Sequence, residues 1–161
     1  MNPYKGRAAL VAAFGDLDVA DGKILSATMP DGRTLTGNQW ESRFMAIVPS
    51  MPLVPRRLYM NKAIVEPLTL ALAACEALRD GYKLRTIGCF APRGKRGNPS
   101  SLSLHSYGIA VDINSDTNPM RAPIQCDIPQ AWIDAFCALG WTWGGKWRTP
   151  DPMHFQFATG V

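Results

Sequence analysis

The sequence predicts a single α+β domain. Residues 61–80 and 129–139 have the apolar spacing of amphipathic helices. Short stretches between and after them have the pattern of strands: 82–90, 109–114, 141–143 and 154–158. Because these helices and strands do not alternate regularly along the chain, an α+β arrangement is favoured. The length of 161 residues suits one domain with its own buried core.

The first sixty residues predict a short helix, a small hairpin and an irregular arm. The alanine-rich helix covers residues 7–14. The arms of the hairpin cover 23–29 and 33–36, since Pro30-Asp31-Gly32 has the composition of a turn, and Gly37-Asn38 closes it. After an apolar run, three prolines break regular structure and predict an arm that wraps the surface: Pro49, Pro52 and Pro55.

The longest helix is expected to begin near Asn61, a favourable N-cap residue, and to end before Gly81. Pro67 lies within the apolar pattern, so the helix either kinks there or begins there with proline in its first turn. The predicted buried stripe is Ile64, Leu68, Ala71, Leu72, Cys75 and Leu78. The stripe of the second helix is Trp132, Phe136 and Leu139.

Composition limits the classes of function. The net charge of +4 and pI near 9.0 suit an anionic partner such as a cell-wall polymer, nucleic acid or lipid headgroups, or only aid solubility. No apolar run approaches the ~20 residues of a membrane span, and the patch at 8–14 is too short for a signal peptide. The four cysteines have no zinc-ribbon spacing and none that demands a disulfide; we expect buried free thiols at Cys75, Cys89, Cys126 and Cys137.

The chain contains two histidines, and each lies in a distinctive segment. His105 precedes the predicted strand 109–114, Asp112 lies within that strand, and His154 begins another strand. Two imidazoles and a carboxylate can hold a zinc ion and leave a fourth position for water. A carboxylate inside a strand is costly unless it is paired or bound to metal. The alternative is that Asp112 pairs with a basic residue such as Arg93 while the histidines pack in the core.

Two further residues are candidates for catalysis. Asp151 precedes His154 by three positions and could act as the general base, or it could be an ordinary turn residue between two prolines. Arg93 lies in the basic loop 91–100. It could contribute to a phosphate or nucleic-acid patch, be solvated, or reach into the site to bind a carboxylate or a developing oxyanion.

The motifs resemble those of a known family. Ser-x-His-x-x-Gly-x-Ala-x-Asp at 103–112, followed by a distal Trp-Gly-Gly and Asp-x-x-His-Phe, is similar to the zinc DD-peptidases of the VanY type, which include phage L-alanoyl-D-glutamate endopeptidases. Three segments carry the resemblance: 85–93, 103–119 and 139–157. It implies an α+β Hedgehog/DD-peptidase fold with a small antiparallel sheet flanked by helices. It also implies one zinc ion, with His105, Asp112 and His154 as ligands.

The resemblance assigns roles to three more residues. It implies that Asp151 is the catalytic base and that Ser103 lines the substrate site. The family arginine maps best onto Arg93. Because Gly-Cys-Phe-Ala-Pro-Arg departs from the commoner Gly-Tyr-Arg form, Arg96 or Arg85 could take that role instead.

Residues and resemblance together predict one catalytic domain over 1–161, a zinc metallopeptidase that hydrolyses peptidoglycan stem peptides. We expect a monomeric phage-type endolysin that cuts between L-Ala and D-Glu and causes bacteriolysis. The alternatives are a D-Ala-D-Ala carboxypeptidase and a non-catalytic cell-wall-binding module. Nucleic acid is not expected as a partner, since only residues 93–97 would bind it. Without a predicted signal peptide, we expect synthesis in the bacterial cytoplasm and action at the cell wall after release.

Overall fold

The computed structural model describes residues 2–54, 56–96 and 98–161. Within these residues the helices are α1 (Gly6–Phe14), α2 (Gly37–Phe44), α3 (Val65–Ala77) and α4 (Gln130–Ala138). The strands are β1 (Tyr4–Lys5), β2 (Asp16–Ala20), β3 (Lys23–Thr28), β4 (Thr34–Thr36), β5 (Met45–Val48), β6 (Leu58–Asn61), β7 (Ile87–Gly88), β8 (Gly94–Lys95), β9 (Asn98–Leu102), β10 (Ala110–Ile113), β11 (Thr142–Trp143), β12 (His154–Gln156) and β13 (Ala158–Thr159). The predicted α+β class is confirmed. No helix in these ranges is long and apolar enough to cross a bilayer.

A four-stranded antiparallel sheet forms the centre of the fold, in the order β11-β12-β10-β7. Val111 on β10 and Phe155 on β12 are fully buried, and the ring of Phe136 on α4 lies 4.5 Å from that of Phe155, which packs this helix against the sheet. The register places Asp112 directly opposite His154. The two predicted strands are therefore neighbours, which brings a carboxylate and an imidazole to one point.

The N-terminal third contains elements that the sequence analysis did not predict, among them β2 and α2. The predicted hairpin is present as β3 and β4, but β2 extends it to three strands. The apolar residues Leu17 and Val19 alternate with aspartates along β2, which is the signal of a strand. At the expected closing turn, α2 begins instead. Thr36 and Gln39 form a reciprocal capping box, which satisfies two backbone N–H groups at the start of this helix.

The proline-containing arm connects two paired strands. β5 pairs with β6 along its whole length, so the arm joins the two strands of a hairpin. Met51 in this loop is buried in the core rather than lying on the surface, because the loop folds back over apolar side chains. The predicted break at Pro55 lies outside the described residues.

α3 begins later and ends earlier than predicted. Asn61 caps a preceding 3-10 turn, accepting a hydrogen bond from the backbone of Ala63, and α3 follows with Pro67 in its first turn. The second of the two alternatives for Pro67 is therefore correct. The helix ends where Arg79 takes a left-handed conformation (φ 50°), so Leu78 lies beyond the helix and is 42% exposed.

Two further predictions are corrected by the structure. Between 82 and 90 only β7 is paired, and the basic loop that follows contains the small hairpin of β8 and β9. All four cysteines are free thiols, but only Cys75 and Cys89 are buried. Cys126 and Cys137 are exposed, because the first lies in an irregular segment and the second on the solvent side of α4.

Trp40 joins α2 to the end of α1. Its side chain is 0% exposed, and its indole N–H donates to the carbonyl oxygen of Phe14 at 2.6 Å. We expect Trp40→Ala to lower the free energy of unfolding by about 3–5 kcal/mol, because it leaves a large cavity and an unpaired carbonyl. Leu70→Ala is the control, since Leu70 is 51% exposed, and should cost within about 0.5 kcal/mol. Urea unfolding measures both, and equal losses would contradict this view of the core.

Candidate metal centre

The turn Leu104–Tyr107, between β9 and β10, carries His105. The side chain of Ser103 accepts a hydrogen bond from the backbone N–H of His105 and so caps this turn. The turn ends at Gly108, which has a left-handed conformation (φ 65°) that glycine adopts without strain. The backbone carbonyl of Gly108 accepts from Asn61 on β6 at 3.0 Å. These contacts fix the imidazole in front of the central sheet.

Three side chains converge on one point. Nε2 of His105 lies 3.1 Å from Oδ1 of Asp112 and 3.1 Å from Nδ1 of His154. Nδ1 of His154 lies 3.0 Å from the same oxygen of Asp112. Both imidazoles are buried and the carboxylate is largely so. The structure therefore brings together the three residues that the sequence analysis proposed as metal ligands, and they form a group that could hold a metal ion.

The hydrogen bonds behind the imidazoles determine which nitrogen atoms face the centre with a lone pair. Nδ1 of His105 lies 2.5 Å from the backbone carbonyl oxygen of Cys89. Nε2 of His154 lies 3.2 Å from Oε1 of Gln156. Since both oxygens can only accept, each of these nitrogen atoms carries the proton. Nε2 of His105 and Nδ1 of His154 then present lone pairs toward each other and toward Asp112.

This donor set fits a zinc ion. Three electron-pair donors lying about 3 Å apart repel one another unless a cation lies among them. Two imidazole nitrogens and a carboxylate oxygen are ordinary zinc ligands, and atoms around a tetrahedral zinc ion lie roughly 3.3 Å apart. A carboxylate must be ionised to be a ligand, and a cation lying among these three donors would favour the ionised form of Asp112.

Asp151 lies beside this group with a carboxylate oxygen that is not hydrogen-bonded. Its backbone N–H donates to Gly144 at 3.0 Å, and its carbonyl oxygen accepts from the N–H of His154 at 3.1 Å. The residue is 8% exposed, and within the described ranges its Oδ1 has no hydrogen-bond partner. Burial raises the pKa of this carboxyl group. A turn aspartate usually bonds the nearby backbone, so this free oxygen favours a chemical role.

A cleft of about 280 Å³ opens over His105, His154 and Asp151. Arg93, Arg96 and Ser103 also line it, together with Lys95. The backbone of Arg93 is held by Ser106, whose hydroxyl accepts from the N–H and donates to the carbonyl oxygen, both at 2.9 Å. The cleft is therefore bordered by positive charge on the side of β8.

Arg85 lies elsewhere. Its guanidinium group donates to Thr117 at 2.7 Å and pairs with Asp116 and Asp127 at 3.5 and 3.6 Å. These contacts make Arg85 a structural cation that joins two loops. Of the three arginines that the sequence analysis considered, only Arg93 and Arg96 lie where a molecule in the cleft could meet them.

Comparison with known proteins supports the same chemistry. Residues 96–157 match the family described as D-alanyl-D-alanine carboxypeptidase. This match covers 62 of the 161 residues, and over it the chain is similar to the zinc DD-peptidases of the VanY type. No curated protein and no solved structure matches the chain. At the level of the family, the match supports a peptidoglycan-acting zinc peptidase.

The part that matches the zinc DD-peptidases contains all three candidate ligands and Asp151, whereas Arg93 precedes it.

Two residues of the site were missed by the sequence analysis. The indole ring of Trp147 lies 5.1 Å from the imidazole ring of His154, and Gln156 bonds that imidazole from behind. Neither has a sequence signal of its own, because each acquires its role only when His154 is placed beside it.

The position of Asp151 depends on Gly144. A Cβ atom added to Gly144 would lie 2.6 Å from the backbone oxygen of Asp151. We therefore expect Gly144→Ala to shift Asp151 and to lower turnover about a hundredfold, since a displacement of about 1 Å can cost that much. Gly88→Ala is the control, because a Cβ atom there meets nothing within 4 Å although Gly88 pairs with Asp112. Peptidoglycan hydrolysis by both variants, with zinc content determined in parallel, tests the prediction; equal rates would contradict it.

Proposed function

We propose that this protein is a zinc peptidase that hydrolyses the stem peptides of bacterial peptidoglycan, and that it cuts between L-Ala and D-Glu as phage endolysins do. The observation that carries the proposal is the group of His105, Asp112 and His154, with mutual distances of 3.0–3.1 Å. Beside it lies Asp151, with an oxygen that is free to accept a proton. The matched family of zinc DD-peptidases supports the substrate class.

Each residue of the site has a distinct task in this proposal. His105, Asp112 and His154 hold one zinc ion. When bound, zinc supplies a Lewis acid that polarises the scissile carbonyl and acidifies water. Asp151 takes a proton from the attacking water and later delivers it to the leaving amine. Burial favours this second step, because a carboxyl group with a raised pKa holds the proton more readily between the two transfers.

The cations bordering the cleft suit an anionic peptide. Stem peptides carry free carboxylates, and a guanidinium group can bind a carboxylate through two parallel hydrogen bonds. We propose that Arg93 binds such a group or the developing oxyanion, with Arg96 as the alternative, since both line the cleft. Ser103 lines the same cleft and is proposed to contact the peptide.

The bond that is cut can be identified from the fragments. Purified peptidoglycan is digested, and the products are separated and identified by mass spectrometry and by amino-terminal labelling. We expect new amino termini at D-Glu and fragments ending in L-Ala. Release of free D-Ala alone would contradict the endopeptidase proposal. It would favour the second candidate, a D-Ala-D-Ala carboxypeptidase, which is the activity that the matched family is named for.

Two aspects of the proposal concern where and how the enzyme acts. We propose that it is made in the bacterial cytoplasm and reaches the cell wall after a separate protein has permeabilised the membrane. We also propose that it acts as a monomer, because the three proposed ligands converge within one chain. Absence of any cleavage product, with peptidoglycan binding retained, would favour a non-catalytic cell-wall-binding module instead.

A further inference from the structure

Gln156 lies behind His154, on the side away from Asp112 and His105. It is 5% exposed and ends strand β12. Its Oε1 lies 3.2 Å from Nε2 of His154, and its Nε2 donates to the backbone carbonyl oxygen of Ala158 at 3.1 Å. The amide group therefore bridges an imidazole and the start of β13.

The partners in this bridge determine which atom donates and which accepts in each hydrogen bond. The carbonyl oxygen of Ala158 can only accept, and it also receives the hydroxyl of Thr142 at 2.8 Å. The NH₂ group of Gln156 must therefore face Ala158, which leaves Oε1 facing His154. An oxygen can only accept from the imidazole, so Nε2 of His154 carries the proton and Nδ1 presents a lone pair.

We propose that Gln156 is a positioning residue that fixes His154 in the form able to bind a metal ion through Nδ1. Without Gln156, the form of His154 that is protonated at Nδ1 would be favoured. Oδ1 of Asp112 lies 3.0 Å from Nδ1 and would accept a hydrogen bond from it. A protonated Nδ1 cannot be a ligand. The inference rests on the proposed zinc site and adds a residue that acts on the metal only through His154.

The two imidazoles differ in how they are held. His105 is oriented by the backbone carbonyl of Cys89, which no side-chain substitution removes. His154 is oriented by a side chain. Of the two groups that orient the imidazoles, Gln156 is therefore the one that a mutation can remove. Gln156→Met keeps the length and apolar body of the side chain and removes both hydrogen bonds.

Zinc affinity is the first readout. We expect competition with a chromophoric chelator to show zinc binding about 10–100-fold weaker in Gln156→Met than in the wild-type protein, the usual effect of losing such a partner. Gln130→Met is the matched control, because Gln130 is exposed at the start of α4 and should leave affinity unchanged. A wild-type protein that binds no zinc overturns the proposed function as well. Wild-type binding that Gln156→Met matches within about twofold overturns the inference alone.

The ring nitrogen of His154 that carries the proton is the second readout. Imidazole ¹⁵N spectra of the zinc-free wild-type protein, recorded where both imidazoles are neutral, should show His154 protonated at Nε2. The Gln156→Met spectrum should show the proton moved toward Nδ1, a change that a merely structural role of Gln156 would not produce. A wild-type spectrum with the proton of His154 on Nδ1 overturns the inference.

Discussion

His105→Ala is expected to abolish zinc binding and to lower peptidoglycan hydrolysis about a thousandfold, because metal Lewis acidity is worth several kcal/mol and each 1.36 kcal/mol is tenfold in rate. The substitution leaves His154 and Asp112 as two ligands, too few for a catalytic zinc site. It also removes the bond from the imidazole to the backbone of Cys89 at 2.5 Å. Elemental analysis and a peptidoglycan assay measure the two effects.

Zinc-free wild-type protein is the control for this variant. If His105 acts through the metal, zinc should raise the unfolding temperature of the wild-type protein and leave that of His105→Ala unchanged. A ligand stabilises the folded state only when it binds to it. A His105→Ala protein that retains one zinc ion and full activity would show that the metal, if any, lies elsewhere.

Asp151→Asn is expected to retain zinc and to lower turnover by about 10²–10⁴-fold, the usual contribution of a general base. The amide has nearly the shape of the carboxylate, so the turn from Gly144 to His154 should be preserved. What is lost is the free oxygen that can accept a proton. Rates should fall through kcat rather than through KM, because the substitution affects proton transfer more than binding.

The matched control is Asp18→Asn, an exposed carboxylate on β2, which should leave zinc content and turnover unchanged. Two outcomes would contradict the role of Asp151. Loss of zinc in Asp151→Asn would make Asp151 a ligand and put the role of Asp112 in question. Unchanged biological activity would favour the non-catalytic binding module.

Local pattern was sufficient where the chain forms an element by itself. The apolar stripe of α4 and the alternation in β10 predicted both elements, because each pattern lies within the segment itself. Residues 82–90 show the limit of this reasoning. Their composition is that of a strand, but only Ile87 and Gly88 pair with β10. Whether a segment pairs depends also on the strand beside it, and the periodicity of the segment carries no information about that strand.

The candidate site shows the same difference between what local pattern predicts and what depends on neighbouring strands. Sequence motifs predicted that His105, Asp112 and His154 would converge. The register of β10 with β12 pairs Asp112 with His154, and the turn before β10 adds His105. Their binding of zinc stays a prediction. The role inferred for Gln156 could not be predicted, because it depends on a carbonyl oxygen at Ala158 that already accepts from Thr142. Such contacts arise only when separate strands meet.

The most direct test of the proposed function is the zinc content of the purified protein, measured together with its hydrolysis of peptidoglycan before and after chelation. We predict one zinc ion per chain, release of new amino termini, loss of that release with the chelator and recovery when zinc is returned. A protein with no zinc that releases no fragments from peptidoglycan would contradict the proposal.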